Sequence, residues 1–587
     1  MKNNINYLNR IKFLLSNSQK KKIPFLIFLM GVALLVELFS LGLIIPFITI
    51  FIDYESIQDY EILSSLFLYL GEPNQSQLII FSILSIFIFF LFKTITVSYV
   101  FYQQMKFVLE SQSELSTRLF NYYLKLSYEK FIKLNSSILT KNVTKESQLF
   151  AINCIQPLLL ICSELIIFIG IIIFLITVEP FGALISFICL VIPGLIFYNI
   201  SKNKISRWGY NRMNFDEKRF QIIQGSFGAF KIISIFKKEN FFSTRYNEFN
   251  LGSADQDLKL RFVDQLPRLL LELLAIIGLS SLLLTLVFQN LDIKRFIPTI
   301  GLFSFAVFRI MPSINRILSQ FTSLRYSDSV IDELHNILKN DANPTIKFKE
   351  NYNNNNNNNN LISCFNNEIN LANISFKYDE SKNFILKDVN LKIKKNSKIA
   401  IIGQSGNGKS TLLDLILGVL EPTSGKIFFD DNDILKKSLN YQKLIGYIPQ
   451  SIFLIDDNIK NNICFALDKN EIDSQKLQNA VKKSALYDFI ETLPHSLETM
   501  IGERGVRLSG GQLQRIGIAR ALYNDPEILI LDEATSALDE SIEDDIVKEI
   551  FSENLKKTVI FATHRKTIIK YCDHCYEIKD KNLIQIK

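Results

Sequence analysis

Six long apolar stretches constrain this 587-residue chain more than any other feature: Ile23–Ile52, Leu78–Tyr102, Gln156–Val178, Phe181–Ile200, Pro267–Phe288 and Phe296–Ile317. A helix needs about 20 consecutive apolar residues to cross a bilayer core of about 30 Å. Core helices of soluble proteins are seldom apolar on all sides over that length. A buried-core reading therefore fails on length and number. The first stretch is too long for a removable secretory signal, and no small-residue cleavage site follows it. The sequence thus predicts six transmembrane helices in the N-terminal part.

Loop charge sets the expected orientation. Lys2, Arg10, Lys12, Lys20, Lys21 and Lys22 precede the first span, whereas Asp53–Ser76 holds five acids and no Lys or Arg. The long segments Gln103–Ile155 and Ser201–Leu266 are polar and basic. Positive residues stay cytoplasmic, so the N-terminus, both long segments and everything after the sixth span are expected on the inner side of the plasma membrane. The long segments read as helical extensions of the spans. Lys and Arg exceed Asp and Glu by 65 − 58 = 7, a small surplus for this length, and no nucleic-acid partner is expected. The seven cysteines form no disulfide framework. Cys572 and Cys575 are a close pair without a second ligand pair nearby, so they read as ordinary strand residues rather than a zinc site.

An unbroken asparagine run, Asn353–Asn360, marks a linker. Such a tract cannot bury a core. The chain divides on this basis into a membrane domain at 1–342, a linker at 343–366 and a C-terminal domain at 367–587. Beyond the linker, short strand-like runs alternate with amphipathic helices, an α/β pattern.

Within that part, Gly403-Gln404-Ser405-Gly406-Asn407-Gly408-Lys409-Ser410 fits the phosphate-binding pattern G-x-x-x-x-G-K-[ST]. It follows the apolar run Lys398–Ile402 and opens a helix at Thr411, the context the pattern requires. Backbone N–H groups of such a loop wrap a phosphate, the lysine reaches the terminal phosphates and the serine can hold Mg²⁺. Downstream, Ile528-Leu-Ile-Leu leads into Asp532-Glu533. Acids at the carboxyl end of a buried strand lie where open α/β sheets bind ligands. Asp532 is the expected metal ligand, and Glu533 the residue that polarises an attacking water.

These residues, with Leu508-Ser509-Gly510-Gly511-Gln512 before Asp532, resemble the ATP-binding cassette (ABC) transporters. The resemblance implies that Ser509, Gly510, Gly511 and Gln512 contact ATP held by an opposite subunit. It implies further roles in chain order: Tyr378 stacking on adenine, Gln450 as a lid residue touching Mg²⁺, Asp539 in an inter-subunit loop and His564 meeting the terminal phosphate. The expected cofactors are ATP and Mg²⁺, and the implied catalytic set is Glu533, His564 and Gln450. Six spans followed by one cassette resemble an exporter-type half-transporter, and Thr499–Gly505 resembles a segment of exporters. Phe131–Thr144 and Ser226–Ile233 look like cytoplasmic coupling segments. The fold class expected is an α-helical membrane domain followed by an α/β P-loop ATPase domain. A second copy of the chain is the simpler partner, and a different half-transporter is an open alternative.

Charges inside the spans are candidates for cargo contact. Arg309 and Arg316 are two turns apart on one helix face, with Pro312 between them. Arg268 opens the fifth span with Glu272 four residues on, which equally fits a helix-internal ion pair. Glu37, Lys93 and Glu164 have no partner legible in sequence. The stretches Glu37–Pro46, Gln265–Glu272 and Phe308–Arg316 resemble the PglK-type flippases of lipid-linked oligosaccharides. That resemblance implies translocation of a polyprenyl-pyrophosphate glycan, and a short external helix at Glu61–Leu70. A general lipid, drug or peptide exporter is the runner-up. A channel or regulator gated by ATP is disfavoured by the presence of Glu533 and His564.

Overall fold

The structure is a computed structural model and describes residues 2–42, 75–178, 180–288, 293–341, 364–378, 383–434, 441–534, 546–548, 550 and 556–587. The expected external helix Glu61–Leu70, the asparagine tract and Asp539 lie outside the described residues. The chain falls into two compact units: residues 1–126 with 134–344, and residues 127–133 with 345–587.

The first unit is helical: α1 (Lys2–Leu14), α2 (Asn17–Gly42), α3 (Gln75–Leu124), α4 (Gln156–Val178), α5 (Pro180–Gly228), α6 (Glu239–Phe288), α7 (Ile293–Tyr326) and α8 (Asp328–Asp341). Five of the six predicted spans lie within α3 to α7, and Gln156–Val178 matches α4 end to end; Ile23–Ile52 begins on α2, and its residues 43–52 lie outside the described residues. Among the described residues, Asn17–Ser40, Ile79–Leu124 and Ser136–Gly170 are long and apolar enough to cross a membrane. The polar segments belong to the same helices: α3, α5 and α6 each run to about 50 residues, the polar part following the apolar run in α3 and α5 and preceding it in α6. Pro193 and Pro267 sit inside α5 and α6. Long helices that pass through lipid tolerate proline because neighbouring groups re-satisfy the freed carbonyl.

The polar part of this unit has its own core. Leu115, Leu119, Phe150, Cys154, Val330 and Leu334 are buried together. Beside it lies a buried ionic knot. Asp216 of α5 is fully buried and takes Lys145 Nζ at 2.6 Å, Arg212 Nη1 at 3.0 Å and Arg219 Nη2 at 3.0 Å. Ser253 Oγ of α6 donates to it at 2.9 Å. Burial by itself raises the Asp216 carboxyl, but the Lys145 hydrogen bond and the three cations outweigh it and hold it below the usual range. The cations come from two separate segments, so one carboxylate ties together Lys145, α5 and α6. The segment carrying Lys145 is wound as a π-helix at Asn142–Glu146 and again at Ala151–Ile155. The segment expected to be a single coupling stretch, Phe131–Thr144, is instead divided. A short helix Tyr128–Ile132 ends there, and Asn135 caps a new one at Ser136 by accepting from Ser137 N–H.

The second unit is built on two sheets. One is antiparallel, with order β2-β1-β4-β5, from β1 (Glu368–Phe376), β2 (Leu386–Lys394), β4 (Ser424–Phe429) and β5 (Asn432–Asp433). The other has order β10-β9-β3-β8-β7-β6. Its members are β3 (Lys398–Ile402), β6 (Ile445–Ile448), β7 (Ile528–Asp532), β8 (Thr558–Ala562), β9 (His574–Lys579) and β10 (Asn582–Gln585). Strands β9, β3, β8, β7 and β6 run parallel, and β7 and β8 are buried along their whole length. Two-sided burial is why these strands read as continuous apolar runs rather than alternating ones. Cys575 lies buried on β9 and Cys572 just before it.

Removing the Asp216 carboxylate leaves buried Arg212 with only the longer Glu146 contact, at 3.6 Å, and takes this partner from Lys145 and Arg219; breaking a buried pair typically costs about 3–5 kcal/mol. Asp216→Ala should therefore lower the thermal midpoint of the detergent-solubilised chain strongly. Glu248→Ala, breaking the exposed Arg245–Glu248 pair, should leave it nearly unchanged. Differential scanning fluorimetry of the two variants side by side checks this.

Candidate functional site

Four loops leave the carboxyl ends of adjacent parallel strands and meet. Gly403 follows β3, His564 follows β8, Asp532 and Glu533 end β7, and Gln450 lies two residues beyond β6. The parallel register makes all four loops emerge on one edge, where such sheets bind ligands.

The loop after β3 turns into α9 (Lys409–Ile416) through glycines with positive φ. Gly406 has φ 84° and Gly408 has φ 94°. At Gly408 a Cβ would also stand 2.8 Å from Ile385 Cγ2, so both conformation and space demand glycine. Gln404, Ser405 and Gly406 are exposed, whereas Gly408, Lys409 and Thr411 are buried. Asn407 Nδ2 pins the loop by donating to the Ile578 carbonyl at 3.2 Å. α9 presents its N-terminus to the loop, a partial positive charge suited to phosphate.

Lys409 curls back over the loop. Its Nζ donates to the carbonyls of Gly403 at 3.0 Å and Gln404 at 3.3 Å, and stands 3.3 Å from Glu533 Oε1. His564 Nε2 lies 2.5 Å from the same Glu533 oxygen and 3.1 Å from Lys409 Nζ. Gln450 Nε2 donates to Glu533 Oε2 at 2.7 Å. Lys409, Gln450, Glu533 and His564 thus form one cluster.

Asp532 lies behind it. Burial raises its carboxyl above the usual range, a hydrogen bond from Ser410 opposes this, and Glu533 adds to it. Its Oδ1 is enclosed and has no hydrogen-bond partner. An orphaned buried carboxylate oxygen on a residue that also bonds a serine hydroxyl supplies hard oxygen donors, which fits Mg²⁺. Among the described residues no group of three or more His, Cys, Asp or Glu forms a self-contained metal cage. A magnesium that relies on nucleotide phosphates needs none.

Asp414 was not singled out in sequence. It sits one turn after Ser410 on α9, the signal that could have found it. Burial, with Asp532 nearby, pushes its carboxyl up to about 6. Other expected residues lie apart from this cluster. Tyr378 packs edge-on against Phe376, ring centroids 5.0 Å apart. Ser509 caps α10 (Gly510–Leu522): its Oγ accepts from Gln512 N–H at 3.3 Å, and its own N–H donates to Gln512 Oε1 at 2.8 Å. This capping box explains a Ser and a Gln three residues apart. It also leaves Ser509 and Gly510 exposed at a helix N-terminus. α10 packs in a different apolar core from α9, and the structure does not bring Ser509, Gly510, Gly511 or Gln512 into the Lys409 cluster.

In the helical unit, the charged residues find partners. Glu37 is buried and pairs with Lys93 at 3.1 Å; Lys93 also donates to Ser40 Oγ at 3.0 Å. Arg316 pairs with Glu164 at 2.7 Å, and Arg268 with Glu272 at 3.0 Å. Arg309 lies on α7, and its side chain is outside the described residues.

Comparison with known proteins agrees with this geometry. Residues 386–536 match the model of the ABC transporter family. The matched segment lies within the second unit and holds the Lys409, Gln450 and Glu533 positions. Over 224 residues the chain is 40% identical to putative multidrug export ATP-binding/permease proteins of Staphylococcus aureus, covering 37% of each chain. It is 37% identical over 224 residues to mouse ATP-binding cassette sub-family B member 5, covering 38% of this chain and 18% of that one. The match thus spans 37% of the length of the staphylococcal relatives. A solved structure described as a bacterial Atm1-family ABC exporter with ATP bound superposes with a TM-score of 0.77 at 20% identity, over 97% of this chain and 95% of that one. The chain has the fold of an ABC exporter, with a helical membrane domain fused to a cassette.

Because the folded pKa of Asp414 lies above the unfolded value, ionising it destabilises the fold. The cost is absent below about pH 4, grows as pH rises through about 6 and is complete above that. Asp414→Asn should raise the thermal midpoint by about 2–4 °C near pH 8 and leave it unchanged near pH 4. Equal shifts at both values would contradict the assignment.

Proposed function

We propose that this chain is one half of an ATP-driven exporter, that two copies form the working unit, and that its cargo is a lipid-linked oligosaccharide carried on a polyprenyl pyrophosphate. The observation that carries the ATPase reading is the convergence of Lys409, Gln450, Glu533 and His564 at one sheet edge, in a chain that also holds helices apolar enough to cross a membrane. In this reading the N-terminus and the cassette face the cytoplasm, with the basic segments, as the positive-inside rule places them.

The chemistry follows from the site. The P-loop backbone and Lys409 bind the terminal phosphates, and α9 adds its N-terminal partial charge. Glu533 accepts the proton of a water attacking the γ-phosphorus, His564 steadies charge on the phosphoryl group being transferred, and the diphosphate leaves. Ser410, Asp532 and Gln450 would hold Mg²⁺, which when bound neutralises phosphate charge. Tyr378 offers a ring for adenine. Ser509, Gly510, Gly511 and Gln512 would complete the site of a second copy, since the exposed α10 terminus is free to meet a phosphate outside its own cassette. Asp539 would lie in the loop between copies.

The cargo reading rests on Arg309 and Arg316, two turns apart on α7. Guanidinium groups suit phosphate bidentately, and Arg316 is half exposed beside Glu164, able to take an anionic group. Arg268 is a further candidate once it leaves Glu272. The second reading, a general lipid, drug or peptide exporter, is favoured by the multidrug-export names of the staphylococcal relatives.

ATP-dependent flipping of a fluorescent polyprenyl-pyrophosphate oligosaccharide in proteoliposomes tests both. Wild type should flip it, and Glu533→Gln should reduce hydrolysis and flipping by at least about 100-fold. Arg316→Ala should reduce flipping more than ATPase. ATPase without flipping would remove the glycan cargo and leave the second reading.

A further inference from the structure

We propose that Glu533, besides its part in hydrolysis, is the resting counter-ion of Lys409: its carboxylate stands in for a nucleotide phosphate and must be displaced before nucleotide can bind. This rests on the reading of the second unit as an ATP site, and adds how entry to that site is controlled.

Lys409 is only 5% exposed. An ammonium so enclosed needs a compensating charge. The Gly403 and Gln404 carbonyls supply dipoles but no charge. Among the described residues, Glu533 is the carboxylate that Lys409 pairs with, at 3.3 Å. Glu533 is itself gripped from two sides. Oε1 faces His564 Nε2 at 2.5 Å, and Oε2 accepts from Gln450 Nε2 at 2.7 Å. Its backbone has φ 49°, a left-handed conformation that costs a side-chain-bearing residue energy. The Glu533 N–H donates to the Ala562 carbonyl at 2.9 Å, which fixes that bend against β8. A strained backbone and two side chains, His564 and Gln450, therefore aim the carboxylate at the lysine.

A phosphate arriving at the loop needs the same ammonium. Two anions on one buried lysine repel, so the carboxylate gives way. The step that loads nucleotide then also releases Glu533 toward the attacking water, and after hydrolysis the carboxylate competes with the diphosphate product for Lys409.

Equilibrium binding of a fluorescent ADP analogue to the detergent-purified full chain in EDTA tests this without hydrolysis. Glu533→Gln should bind it about tenfold more tightly than wild type, the effect of one charge-assisted hydrogen bond. In a Lys409→Met background the same substitution should change affinity less than about twofold. Gln450→Ala, which loosens one grip and leaves both charges, should tighten binding about two- to threefold. A gain from Glu533→Gln that persists undiminished without Lys409 would show plain repulsion of phosphate and overturn the proposal. So would a Glu533→Gln chain that binds no more tightly than wild type. A wild-type chain that binds no nucleotide would overturn the ATP-site reading itself, a distinct result.

Discussion

A buried lysine charge at the carboxyl edge of a parallel sheet is the constraint around which the second unit is organised. Lys409 cannot be solvated there, so everything near it supplies negative charge or dipoles. The loop carbonyls of Gly403 and Gln404 reach it, Glu533 pairs with it, and His564 and Gln450 hold Glu533. The strand order β3-β8-β7-β6 brings residues more than a hundred positions apart in sequence to one edge. Parallel pairing is essential, because only then do all the connecting loops leave on the same side.

The helical unit meets the same difficulty by different means. Among the described residues, charges along the apolar helices find opposite partners: Glu37 with Lys93, Glu164 with Arg316. Closer to the polar extensions a single carboxylate, Asp216, gathers three cations and a hydroxyl. Buried ion pairs add little net stability, but a wrong register would strand a charge. They therefore specify which helices meet and where. Gly209 makes the same point sterically: a Cβ there would stand 1.9 Å from the Tyr326 carbonyl, so α5 and α7 can cross only at a glycine.

Much of this was legible in the sequence, for identifiable reasons. The P-loop could be read because the left-handed positions and the close approach to Ile385 admit only glycine, and the spacing follows from the turn. The spans could be read because lipid demands unbroken apolar length, and α4 coincided with its expected limits. What stayed hidden was pairing across helices. Glu37 and Lys93 are visible as charges in sequence, but nothing local says that α2 and α3 set them face to face. The role of Asp216 needed three separate segments to be assembled. Asp414 looked like an ordinary helix residue until folding placed it near Asp532. The division of Phe131–Thr144 at Asn135 was written in the capping preference of asparagine and was missed because the stretch was read as one segment.

In the proposed exporter each chain holds half of a site completed by a second copy. The most direct measurement is disulfide cross-linking of a chain carrying Ser405→Cys and Ser509→Cys, with the exposed Cys162 and Cys364 replaced by serine. An ATP-dependent bond between two chains is expected, seen as a doubled mass on a non-reducing gel and abolished by Lys409→Met. Bond formation within one chain, or between chains to the same extent with and without ATP, would contradict it.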